Sequence, residues 1–333
     1  MLRRHQLIAV LAALLILALS LPVLHVRRFL DRPVAPAQRR VVEIAPGAPF
    51  ARVAEELATA GVVADARLFK LLARWREAAQ RIKAGEYAFE KAATPEEILE
   101  RLLTGDVLLH PFTVPEGWTL REIAGRLEAE GRGSAETFLR LARAPESRER
   151  LKIDGPSLEG YLFPETYQLT RDMDEAALIE AMHREFRRRL TPEILAGAKE
   201  RGLGLKELVI LASIVQKEAG HRGEMPLIAS VFLNRLAAGM PLQADPTVIY
   251  GIEDFDGNLT RHHLQTTTPY NTYRIPGLPL GPIANPGEEA LRAVAFPAQS
   301  DYYYFVAKGD GTHIFAKTLA EHNDNVRRYQ LKR

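Results

Sequence analysis

Cysteine is absent from the chain, which excludes disulfide bridges and thiol chemistry and leaves the compartment open. A charge excess is missing as well: 44 Lys and Arg against 42 Asp and Glu leave +2, so nothing in the balance calls for nucleic acid. Zinc-ligand spacing, a phosphate-binding glycine loop and a basic stripe with interleaved aromatics are all lacking. His262 with His263, and His313 with His322, have neither the spacing nor the acidic partners of a metal site, and read as surface or packing residues. Neither a metal nor a cofactor is expected. What is present is a chain of 333 residues, 47% apolar and 26% charged, enough for two or three folded domains.

One long hydrophobic run does occur. Leu7 to Leu24 is apolar apart from Ser20 and Pro22, and is just long enough to span a bilayer. Arg3, Arg4 and His5 ahead of it favour an N-terminus inside, while Arg27 and Arg28 beyond it pull the other way. AlaLeuSer at 18–20 would suit a signal peptidase, so residues 1–28 are either a retained anchor or a cleaved signal; the run continuing past Ser20 favours retention. Both readings put the remaining chain outside the cytoplasm.

Residues 29–40, with Pro33, Pro36 and three arginines, read as a linker. A strand at 41–44 then leads through a ProGly turn into a helix with Phe50, Val53, Ala54 and Leu57 on one face. A second helix around Ala64 to Trp75 and an extended segment at 85–89 follow. Thr94, Pro95 and the acids after them mark the start of another helix, closed at Gly105. The order recurs: Gly47 corresponds to Gly117, Phe50 to Leu120, Val53 to Ile123, Leu57 to Leu127 and Gly61 to Gly131. PheLeuArgLeuAlaArg at 138–143 answers PheLysLeuLeuAlaArg at 69–74, and GluGlyTyrLeuPhe at 159–163 echoes the segment at 85–89. Such strand–helix–helix–strand units resemble the LysM fold, a binder of amino-sugar polymers. The first copy lacks a concentrated set of exposed aromatics or amides, so a spacer role stands beside that resemblance.

Chemistry concentrates around Glu218. Leu208, Leu211, Val215 and Glu218 lie on one helical stripe, so a carboxylate continues a row that should face a core. Desolvation and the negative helix end both disfavour its charge, raising its pKa above the model value of about 4.3 and suiting it to general acid catalysis. The alternative is a solvated last-turn glutamate, paired with Lys217 or Arg222 and followed by a capping Gly220.

Pro226 opens a further helix carrying Leu227, Ile228, Val231 and Phe232, ended by Gly239. Residues 240–251 are then dense in hydrogen-bonding side chains: Gln243, Asp245, Thr247 and Tyr250. Asp245 before Pro246 suits an N-cap, and ligand contact is compatible with that role. The loop at 268–287 is rich in Pro and Gly, as ordered functional loops are. Within it Asn285, Pro286 and Glu288 read as a capping box, whereas Asn271 and Tyr273 have no local role and are candidates for substrate contact. A hairpin from 302–307 and 312–316, then a helix from Leu319 to Gln330, end the chain.

SerIleValGlnLysGlu at 213–218, SerValPheLeuAsnArgLeu at 230–236, GlnAlaAspProThrValIleTyrGly at 243–251 and AsnThrTyrArgIleProGlyLeuPro at 271–279 resemble the YceG-like family. GluGlyTyrLeuPheProGluThrTyr at 159–167 and LysGlyAspGlyThrHis at 308–313 add to the resemblance. These are endolytic murein transglycosylases anchored in the bacterial cytoplasmic membrane. The resemblance implies an α+β fold: an N-terminal transmembrane helix, a LysM-like βααβ module over 41–108, and a mixed catalytic domain over 109–333. That domain would begin with the second copy, at about 111–187. The implied substrate is peptidoglycan, cut within glycan strands between N-acetylmuramic acid and N-acetylglucosamine without water, beside the peptidoglycan synthases. The family glutamate falls on Glu218. Many relatives carry an acid two residues earlier, where this chain has Gln216.

One carboxyl group suffices for that reaction, because the muramic C6 hydroxyl is the nucleophile and closes to a 1,6-anhydro ring. Glu218 would protonate the glycosidic oxygen and then take the hydroxyl proton. Gln243, Thr247, Tyr250, Asn271 and Tyr273, or the substrate's own acetamido group, are left to stabilise the oxocarbenium-like charge. Asp245 about 5 Å from Glu218 would instead suit a retaining, muramidase-type hydrolase. A noncatalytic glycan-binding or scaffolding protein is the alternative from another class.

Overall fold

The computed structural model describes residues 4–331 and is mixed α and β. The chain divides into two compact units, one holding residues 1–110 and 168–172, the other 111–167 and 173–333.

In the first unit, helix α1 (Arg4–Asp31) is followed by β1 (Arg40–Ile44), α2 (Phe50–Thr59), α3 (Ala66–Trp75), β2 (Gly85–Phe89) and α4 (Pro95–Thr104). The span Leu11–Asp31 is long and apolar enough to cross a membrane, a test that a signal sequence also passes. Of the positive residues ahead of the run, Arg3 lies outside the described residues. Helix α1 runs on through residues 29–31, expected in the linker, because Phe29 is buried in the core of this unit. The rest of that segment is ordered too: Val34 and Ala93 exchange backbone hydrogen bonds. Strands β1 and β2 pair antiparallel, with Val42 opposite Tyr87. Phe69, Tyr87, Ile98 and Leu102, all fully buried, fill the space beneath α2, α3 and α4, each worth about 1.5–3 kcal/mol of transfer free energy. Thr94 and Glu97 form a complete capping box on α4, and Gly105 closes it in the left-handed region.

The second unit carries the repeat: β3 (His110–Thr113, whose first residue belongs to the first unit), α5 (Leu120–Ala129) and α6 (Ala135–Arg143). Gly47 and Gly117, equivalent in the two copies, both turn the chain at positive φ, +74° and +80°. The echo ends there. Helix α7 (Pro145–Leu151) is inserted, and the strand that pairs with β3 is β4 (Thr166–Leu169), not residues 159–163. Those five residues form a buried turn, because Asn285 accepts from Gly160 and Leu162 N–H and so takes the donors a strand would need.

Helices α8 (Glu175–Arg189) and α9 (Pro192–Glu200) precede α10 (Leu205–Glu218), in which every residue from Leu208 to Val215 is buried. A helix apolar all round belongs at the centre of a domain, and α10 packs on α9, α11 (Met225–Ala237), α12 (Asp245–Tyr250) and α14 (Glu288–Ala295). Helix α13 (Arg261–Gln265) lies before α14 in the chain. The antiparallel hairpin β5 (Tyr304–Ala307) and β6 (His313–Ala316), then α15 (Leu319–Tyr329), complete the unit.

Candidate active site

Glu218 is the last residue of α10, three residues past the end of its buried run at Val215, and its carboxyl group lines a cavity of about 440 Å³. Gln243, Asp245 and Tyr273 line the same cavity, together with Arg235, His313 and His322. Among the described residues no side chain donates a hydrogen bond to the Glu218 carboxyl. Burial pushes its pKa up to about 8, the negative charge of Asp245 adds to the rise, and Arg235 works against it. The carboxyl therefore remains protonated near neutral pH, with its oxygens open to the cavity.

The chain stops α10 abruptly here. Ala219 leaves the helical region at ψ 114°, so the cap is Ala219 and not Gly220. Gly220 serves close approach instead: a Cβ on it would lie 2.4 Å from the carbonyl oxygen of Gly311, in the β5–β6 turn. His313 fastens that hairpin by donating its backbone N–H to Glu224 Oε1 at 3.0 Å and placing Nδ1 2.9 Å from Oε2. Burial alone would raise the Glu224 pKa, and the bonds to His313 outweigh it and hold the carboxyl below its ordinary range.

Asp245 is the first residue of α12, whose cap is Ala244, so its carboxylate does not cap the helix. It accepts the Tyr273 hydroxyl at 2.7 Å. Gln243 sits at φ +52°, a left-handed conformation rare outside glycine, and its backbone N–H donates to Thr272 O at 3.1 Å. Strain of this kind gathers at functional sites. Arg235 is buried and donates through Nε to Tyr303 O at 2.6 Å and through Nη1 to Leu242 O at 2.8 Å. It thus ties α11, the Gln243 segment and the strand leading into β5 around the Glu218 carboxyl.

The remaining expected contacts lie elsewhere. Thr247 is fully buried and donates to Ala244 O at 2.7 Å, with Thr272 Oγ1 at 2.8 Å. Asn271, also fully buried, has a local role after all: its amide donates to His263, Leu264 and Thr266 carbonyls and accepts from Tyr273 N–H, bracing the loop that presents Tyr273. Tyr250 faces a second cavity and donates to Glu159 Oε2 at 3.0 Å. Asn285 is not a cap, since Gly287 occupies that position on α14. It is a buried node that donates to Trp118 O and Glu159 Oε1 in addition to accepting from the 160–162 turn. Gln216 Oε1 accepts from Gly287 N–H at 3.0 Å and does not line the Glu218 cavity.

Three ionisable lining residues were not among the expected contacts: Arg235, His313 and His322. Arg235 had a usable signal, because it continues the stripe Ile228, Val231 and Phe232 of α11 just as Glu218 continues that of α10. His313 had the motif at 308–313 and His322 had no signal; both pack on aromatic rings, His313 on Phe305 and His322 on Tyr304, and both also line the cavity. Burial lowers the His322 pKa, and its Nδ1 has no hydrogen-bond partner among the described residues. No cluster able to hold a metal occurs among the described residues.

The sequence profile of the YceG-like family matches residues 42–328. The chain belongs to the YceG-like family. It is 31% identical over 304 residues to the endolytic murein transglycosylase of Bacillus subtilis, covering 86% of this chain and 84% of that one. With the protein of the same name from Streptococcus pneumoniae the identity is 30% over 317 residues, and the match spans only 57% of that longer relative. The 2.6 Å crystal structure of a yceG-like protein from Listeria monocytogenes superposes with a TM-score of 0.60 at 30% identity, over 86% of this chain and 99% of that one.

Proposed function

We propose that the chain is an endolytic murein transglycosylase in which Glu218 is the general acid and then the general base. The observation that carries this reading is the Glu218 carboxyl itself: protonated up to about pH 8, free of hydrogen bonds from other side chains among the described residues, and facing an open cavity at the end of a buried helix. A proton held there is available to a glycosidic oxygen between N-acetylmuramic acid and N-acetylglucosamine. As the bond breaks, the Glu218 carboxylate accepts the proton of the muramic C6 hydroxyl, whose oxygen attacks C1 and closes the 1,6-anhydro ring. Atoms balance without water. Gln243, Tyr273 and the Asp245 carboxylate line the cavity where positive charge develops on the sugar. Thr247 and Asn271 support these groups from behind the wall.

The setting proposed for this reaction is outside the cytoplasm, beside the peptidoglycan synthases, with residues 1–28 as a retained anchor, 29–40 as linker and 41–108 as a LysM-like module. Residues 109–333 form the catalytic domain, beginning with the second copy at about 111–187. Gel mobility of the mature protein distinguishes a retained anchor from a cleaved signal.

A muramidase-type hydrolase is the second reading, favoured by Asp245 sharing the cavity of Glu218. Digestion of purified sacculi separates the two by mass, since anhydro ends are lighter by one water than hydrolysed reducing ends. Anhydro products are expected, and Glu218→Gln should release none. Reducing ends would establish the hydrolase, and no release by the unaltered protein at any pH would leave a glycan-binding scaffold.

A further inference from the structure

A second cavity, of about 960 Å³, opens within the same unit and is also lined by α12. The two cavities share neighbours: Asp245 lines the first, whereas Pro246, Ile249 and Tyr250 line the second, and Lys217 of the second adjoins Glu218 of the first in sequence. Arg121, Arg143 and Lys217 all stand on its wall. Several arginines of this unit pair with acids, as Arg189 does with Glu165, Glu185 and Glu288. These three cations do not. Among the described residues Arg121 bonds only the Glu253 carbonyl oxygen, at 3.0 Å, and Lys217 only the Gly117 carbonyl oxygen, at 3.3 Å. Arg143 has neither an ion pair nor a hydrogen bond among the described residues.

Glu122 on the same wall is held by the Thr119 capping box, so three cations free of ion pairs among the described residues face the opening, an arrangement that attracts carboxylates. Glu159 lines the cavity and feels the charge of Arg143, but it makes no ion pair with the three cations: its oxygens are taken by Leu120 N–H, Asn285 Nδ2 and the Tyr250 hydroxyl, and burial pushes its pKa up to about 8. The ring of Tyr250 meets that of Tyr270 edge-on at 4.9 Å, giving an apolar floor. Glu253, on the rim without an ion pair among the described residues, is placed to take a lone ammonium group.

We propose that this cavity binds a carboxylate-rich peptide carrying one amino group, namely the stem attached to muramic acid, while the sugar itself lies against Glu218. The proposal rests on the glycan-cleaving reading above. It assigns to Arg121, Arg143 and Lys217 the recognition of stem carboxylates and gives α12 a place on the walls of both the sugar and the peptide cavities. Glycan bearing stems would then be a better substrate than bare glycan.

Titration of the full-length Glu218→Gln protein with free stem pentapeptide tests binding apart from cleavage. Saturable binding is expected, weakened at least about tenfold by adding Arg143→Glu and also by blocking the peptide carboxylates as amides, each tenfold being about 1.4 kcal/mol. An absence of saturable binding, or binding indifferent to both changes, overturns the proposal. Cleavage of stem-bearing and stem-free glycan supplies the second readout: Arg143→Glu should lower the preference for stem-bearing strands by about tenfold. An unchanged preference overturns the subsite and leaves the transglycosylase reading standing. If neither glycan is cut by the unaltered protein, the transglycosylase reading fails, and the peptide titration alone decides the subsite.

Discussion

Tyr273 donates its hydroxyl to Asp245 Oδ1 at 2.7 Å, joining the 268–287 loop to the first residue of α12 on the wall of the Glu218 cavity. The pair fixes a negative charge where it is felt by Glu218, whose pKa that charge helps to raise. Neutralising it with Asp245→Asn removes one cause of the rise, so Glu218 ionises at lower pH. The alkaline limb of the activity profile, expected near pH 8 in the unaltered protein, should move to lower pH in the variant. Fragment release measured across pH checks this, and an unmoved limb would show that Asp245 does not act on Glu218.

Replacing Glu218 itself should cost activity by about 10²–10⁴-fold, the usual share of a general acid and base. Stability should respond in the opposite sense. A carboxyl whose folded-state pKa is raised from 4.5 to about 8 favours folding fully below pH 4.5 and loses that contribution as pH rises through 8. Relative to the unaltered protein, Glu218→Gln should therefore be more stable at pH 9 than at pH 5, which urea unfolding at the two pH values measures.

Gly220→Ala places a methyl group 2.4 Å from the Gly311 carbonyl oxygen, and both sides of that contact are backbone. Overpacking of this kind costs about 1–3 kcal/mol. The hairpin has to shift, carrying Phe305 and His313 away from the cavity they line. A fall in both unfolding midpoint and turnover is expected; a variant equal to the parent in both would mean that the hairpin yields freely.

Asn285→Ala strips the acceptor from Gly160 and Leu162 N–H and the donor from Glu159 and Trp118. Buried polar groups left unpaired cost about 1–3 kcal/mol each, so chemical denaturation should show a loss of at least about 2 kcal/mol.

Local rules carried much of the fold. The Thr94 capping box, the limits of β2 at Gly85 and Phe89, and the end of α10 at Glu218 all follow from neighbours within one turn or one strand. Asn285 shows where such rules stop. Its spacing to Glu288 matches a capping box, yet it is spent on residues 123–125 and 167 positions earlier in the chain, and no local pattern encodes that distance. The strand expected at 159–163 was lost to the same node. Asn271 failed the other way, because the loop it braces has no period to reveal a bracing role. At the site, stripe logic found Glu218 and would have found Arg235, whereas His313 and His322 join it through a hairpin and a helix far along the chain.

The wall of the Glu218 cavity is assembled late in the chain. Phe305, Val306, Ala307, His313, His322, Val326 and Gln330 all contribute to it, although Glu218 precedes them by more than eighty residues. A polypeptide emerging from the ribosome in order carries Glu218 long before that wall is complete. On the proposed reading, a chain interrupted between 218 and 305 would carry Glu218 without the hairpin and helix that complete its cavity.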